Sequence, residues 1–142
     1  KFDFTIFIRS IRIGFPTAIQ QILVSLGMMA LSRIVNSFGT TTIAAYTAAG
    51  RLDSFALMPA MNFSMAISTF VAQNFGANKL ERVKKGVKAT VLFSSAIAIT
   101  ISLIFVIFSR QLIIIFNKDA EVVSIGVEYL LIVSPFYLVF SL

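Results

Sequence analysis

Cysteine, histidine and tryptophan are absent from this chain. Without cysteine there is no disulfide staple and no thiolate nucleophile or metal ligand. Without histidine no Ser–His–Asp arrangement can be assembled. Neither a G-x-G-x-x-G run nor a P-loop occurs, and the six acidic residues are scattered without metal-ligand spacing. These absences leave little footing for an enzyme, a metal centre or a bound cofactor. Charge is scarce as well: charged residues make up 13% of the chain and hydrophobic ones 58%, where soluble domains average about 25% and, even with glycine counted, about 45–50%. The formal charge of +6 would suit a phosphate-binding surface, but so few charged side chains cannot coat a soluble domain, and nucleic acid is not an expected partner.

What the chain has instead is long apolar runs. Residues 14–32, 54–78 and 89–109 carry no charge, and 122–142 is broken only by Glu128. Each reaches the roughly 18 residues needed to cross hydrocarbon. A lone span in lipid must satisfy its own backbone hydrogen bonds, so the runs are expected to be helices, and the period-two alternation of a lipid barrel is missing. The expected fold is all-α, a polytopic membrane bundle with helices at about 10–37, 42–75, 83–109 and 120–142. In the linker "NSFGTTTIAAY", Gly39 reads as the residue after a helix C-cap and Thr40 to Thr42 as N-cap candidates. The second helix is longer than the hydrocarbon core is thick, and Pro59 inside it predicts a bend.

Charge placement predicts the orientation. Lys1, Arg9 and Arg12 precede the first run, and Lys79, Arg82, Lys84, Lys85 and Lys88 separate the second from the third. The positive-inside bias puts 1–12 and 78–88 in the cytoplasm and 37–44 and 109–121 outside. Leu80, Val83 and Val87 form an apolar stripe among these lysines. The 78–88 connector is therefore expected to lie along the membrane surface against anionic lipid head groups, with Glu81 paired to Lys85 one turn on.

Several residues stand out inside the spans. Ala56, Ala60, Ser64, Ser68, Ala72 and Gly76 repeat a small side chain every fourth position, a groove for close helix packing or a gating surface, and Ser94, Ala98 and Ser102 offer a complement. Pro16 stands four residues ahead of Gln20, which Gln21 follows, and the three form an interhelical clamp or a substrate-facing patch. Arg51 and Asp53 emerge into the outer head groups or line an outward mouth; two positions apart, they do not share a helical face. Glu128 follows the acidic helix start "NKDAEV" and is either an outer-interface acid or a coupling carboxylate, in which case Glu128→Gln weakens ion-driven transport. The 15 phenylalanines are expected in the core or facing lipid.

The stretches "GFPTAIQQ" (14–21), "FGTTTIAAYTAAGRLDSFALMPAMNFSMAISTFVAQNFGANKLERVKKG" (38–86) and "IFNKDAEVVSIGVEYLLIVSPF" (115–136) together resemble the second half of a multidrug and toxic compound extrusion (MATE) transporter. The middle stretch is the specific one, with Ile-Ala-Ala, Phe-Ala-x-x-Pro and Val-Ala-Gln-Asn-x-Gly-Ala in order. The resemblance implies that the chain is an excerpt of a C-terminal lobe, from the seventh helix through much of the tenth of a twelve-helix protein, which needs its N-terminal lobe to work. It also implies a multi-pass plasma-membrane antiporter that expels cationic amphipathic compounds in exchange for H⁺ or Na⁺. Some Na⁺-using relatives carry an acid in the seventh helix, and residues 14–32 have none. A flippase for lipid-linked sugars and a non-transporting membrane scaffold are the alternatives.

Overall fold

A computed structural model describes residues 3–141. Among them every regular element is helical: α1 (Phe4–Ser37), α2 (Thr40–Gly76), α3 (Leu80–Phe116), α4 (Ala120–Val133) and α5 (Phe136–Ser141). Of these, α1, α2 and α3 are long and apolar enough to cross a membrane. Residues 1–40 and 41–142 form two compact units.

The first unit is α1. It begins well before position 10 because Asp3 caps it, its side chain accepting from the backbone N–H of Thr5 at 2.9 Å and of Ile6 at 3.2 Å. Arg9 and Arg12 therefore lie inside the helix. Its other end closes as the linker predicts: Phe38 is the C-cap, its N–H donating to the Val35 carbonyl at 3.1 Å, and Gly39 follows with φ +92°. That left-handed conformation favours glycine.

In the second unit α2 runs as one helix through Pro59. A non-helical backbone appears in α3, at Phe108. Gly76 ends α2, and the chain reverses at Asn78, whose φ of +56° asparagine tolerates better than most residues. The Lys79 N–H returns to the Asn74 carbonyl at 2.8 Å. So tight a reversal leaves no room for a separate surface-lying connector. The basic segment is the opening turns of α3 itself, which starts at Leu80, and Glu81 meets Lys84 at 3.4 Å rather than Lys85.

The helix α3 continues past 109 to Phe116, since one arginine at 110 is no helix breaker. Asn117 and Asp119 build the following turn: Asn117 Oδ1 accepts from the Asp119 N–H at 2.9 Å, and Asp119 caps α4 through the N–H groups of Glu121 and Val122. The fourth apolar run is not one helix. Pro135 has no N–H to offer the Leu131 carbonyl, so α4 stops at Val133 and α5 starts at Phe136. The Ser134 hydroxyl, buried at this break, donates to the Leu130 carbonyl.

The core gathers Ala48, Ala49, Leu52 and Ala56 of α2, Phe105 and Ile113 of α3, Val123 and Leu130 of α4, and Tyr137 of α5. Small residues set how closely the helices approach. A Cβ on Gly126 would lie 2.9 Å from Ile113 Cδ1, so only glycine lets α4 seat on that side chain without displacing it. Ser94 joins α3 to α5 by donating to the Ser141 carbonyl at 3.2 Å.

Candidate functional site

Positions 46 and 53 of α2 lie two helical turns apart and share a face. Asp53, half-buried beside the buried Leu52 and Ala56, extends its carboxylate toward α4 and α5. The Tyr129 hydroxyl donates to Asp53 Oδ2 at 2.6 Å, and the Tyr137 hydroxyl donates to Oδ1. Tyr46 meets the Tyr129 ring edge-on at 5.8 Å between centroids, and Phe105 of α3 meets Tyr137 in the same manner, also at 5.8 Å. Two of the three tyrosines of the chain thus meet on one carboxylate, and the third packs against one of them.

Ionised groups within a membrane bundle are costly and seldom lack partners. Asp53 has partners but no counter-cation: among the described residues the one ion pair is Glu81 with Lys84. Hydrogen bonds to an ionised oxygen are stronger than neutral ones, and two phenol donors aimed at one carboxylate occupy both oxygens. Such a site can hold a carboxylate in an apolar setting.

The other expected residues fall elsewhere. Arg51 is exposed, its guanidinium carbon 6.0 Å from the Phe116 ring centroid, at cation–π range. Glu128 is exposed and makes no hydrogen bond or ion pair among the described residues, whereas its neighbour Tyr129 turns into the bundle. Gln20 and Gln21 belong to the α1 unit, where both are exposed on a helix that continues through Pro16. In α2 the small-residue ladder divides. Ala56 is buried, and Ala60 shares a narrow crevice with Pro59, with Ser94 and Ala98 of α3, and with Tyr137. Farther along, Ser64, Ser68 and Ala72 open onto a cavity of about 700 Å³, whose other walls include Val87, Thr90 and Val91 of α3 and Phe140 of α5.

Sequence reasoning missed Tyr129, Tyr137 and the break between them. The available signal was scarcity: three tyrosines in the whole chain, two of them flanking the proline of the last apolar run.

A model of the MatE family matches residues 16–142. The chain is 31% identical over 141 residues to Probable multidrug resistance protein YoeA of Bacillus subtilis, covering 99% of this chain and 30% of that protein. It is 29% identical over 116 residues to Probable multidrug resistance protein NorM of Thermotoga maritima, covering 82% of this chain and 25% of that protein. It is also 24% identical over 122 residues to an FAD transporter of Shewanella oneidensis, covering 86% of this chain and 27% of that protein. The chain thus spans under a third of the length of these curated relatives. No solved structure matches it. With three helices able to cross a bilayer and a family match over most of its length, this chain is a membrane protein of the MatE family.

Proposed function

We propose that this chain is part of a secondary active efflux transporter of the plasma membrane, one that exports cationic amphipathic compounds in exchange for H⁺ or Na⁺. The observation that carries this reading is the family match over residues 16–142, together with relatives described as multidrug resistance proteins. Alternating access needs two bodies whose mutual packing has two states of similar energy, with ion and cargo favouring different ones. In this reading the chain contributes helices to one body, the missing N-terminal lobe supplies the other, and the basic start of α3 faces the cytoplasm.

The wall of the large cavity supports this cargo class. It is lined by apolar and hydroxyl side chains, and no lysine, arginine or carboxylate is among them. Its volume of about 700 Å³ is in the range of drug-sized sites. An uncharged wall rich in phenylalanine and valine suits a greasy organic cation better than a pyrophosphate, which needs cationic donors. The same argument weighs against a lipid-linked sugar flippase. The FAD transporter among the relatives favours a second reading, in which the cargo is an anionic dinucleotide.

Cells making the full-length protein should accumulate less ethidium than controls, and collapsing the ion gradient should abolish the difference. Equal accumulation of ethidium and several other cationic dyes, with FAD appearing outside the cells instead, would move the assignment to the second reading.

A further inference from the structure

Asp53 joins three helices, and the way it does so is uneven. Each of its oxygens takes one phenol, and the two phenols stand on opposite sides of the Ser134–Pro135 break: Tyr129 near the end of α4, Tyr137 at the second position of α5. A single carboxylate on α2 therefore staples both halves of an interrupted helix. The break is the weak point of that run, because Pro135 cannot give the Leu131 carbonyl its helical hydrogen bond.

We propose that Asp53 is a proton-binding site and that its protonation opens the staple, freeing α5 to move against α4; this inference rests on the transport reading above and names the coupling ion for it. As an ionised carboxylate Asp53 has only acceptors, so it satisfies both tyrosines at once. One proton from water converts one oxygen to a hydroxyl. That oxygen becomes a donor, so the phenol facing it must swing its own hydrogen aside and accept instead, and both contacts lose the strength that the negative charge gave them, which loosens the staple. No covalent bond other than the new O–H forms or breaks.

The surroundings favour a proton over a metal cation. Both phenol hydrogens point at the carboxylate oxygens, where a metal ion would have to sit. Among the described residues no group of three or more acidic side chains could hold one. The charged and titratable groups around the site are few. From α2 come Tyr46, edge-on to Tyr129, and Arg51, whose guanidinium lies over Phe116. From α4 come Tyr129 and the exposed Glu128, and from α5 Tyr137. From α3 the contact is Phe105, while Arg110 lies with Lys118 along a different recess beside Val123 and Val127. No cation among the described residues therefore pairs with Asp53.

The test uses the full-length transporter, purified in detergent in weakly buffered solution, with ethidium as the probe. Adding ethidium should release protons from the wild type and from the surface control Glu81→Gln, and Asp53→Asn should lose the release. Release from Asp53→Asn equal to the wild type overturns the proposal. Should Asp53→Asn not fold, Tyr129→Phe and Tyr137→Phe keep the carboxylate and remove one donor each. Both should displace the pH profile of ethidium transport, and two unchanged profiles overturn the proposal equally. Transport driven by a Na⁺ gradient, with no proton release, would sink the proton site and leave the efflux reading standing. A wild type that moves no dye under any gradient would instead remove the efflux reading, and the proton site with it.

Discussion

Tyr129 and Tyr137 are separated by a helix break, yet their hydroxyl groups meet on the two oxygens of the same carboxylate, Asp53. The geometry makes their contributions interdependent, and the first expectation concerns that coupling. Removing either hydroxyl with phenylalanine should cost about 1.5–3 kcal/mol of stability in detergent, the usual range for a hydrogen bond to a charged group. Residues sharing one partner do not add. Combining Tyr129→Phe or Tyr137→Phe with Asp53→Asn should cost less than the sum of the single changes, as read by thermal unfolding. Strict additivity would mean that the contacts are not made.

A second expectation concerns Pro135. Replacing it with alanine restores the N–H that the Leu131 carbonyl lacks and lets α4 continue into α5. Hydrogen exchange across residues 131–137 should slow in Pro135→Ala, and transport should slow with it if the break must flex. Unchanged exchange would show that the proline does not cause the interruption.

Packing between α3 and α4 gives a third. With Ile113 Cδ1 only 2.9 Å from where a Cβ would stand on Gly126, Gly126→Leu should overpack the core and lower stability by about 1–3 kcal/mol. The thermal midpoint of the purified protein reads this directly. A midpoint equal to wild type would show that α4 does not seat against Ile113.

A fourth ranks the acids. Glu128 reads from sequence as an outer-interface acid or a coupling carboxylate, but it is exposed and has no partner among the described residues, while Asp53 is held by two phenols. Asp53→Asn should therefore reduce gradient-driven ethidium transport more than Glu128→Gln does. The reverse order in vesicle assays would assign the coupling role to Glu128 instead.

Local chemistry made much of the fold legible. Uncharged runs marked the long helices because backbone groups in lipid leave few alternatives, and Gly39 announced the end of α1 because its position calls for positive φ. Signals that compete with hydropathy were harder to read. Asp3 starts α1 ahead of its apolar run, Asn78 reverses the chain too tightly for a connector, and Pro135 cuts a stretch whose composition alone reads as one span. The Asp53 cluster was not legible, since it unites residues 76 and 84 positions apart whose meeting depends on how α2 packs against α4 and α5. Scarcity of tyrosine pointed to the right side chains without saying where they would converge.

Flux coupling in proteoliposomes tests the central claim most directly. With the full-length transporter reconstituted and a pH-sensitive dye trapped inside, an imposed ethidium gradient should drive protons in the opposite direction through the wild type, and Asp53→Asn should show no such proton movement. Equal proton movement through both proteins would contradict the account.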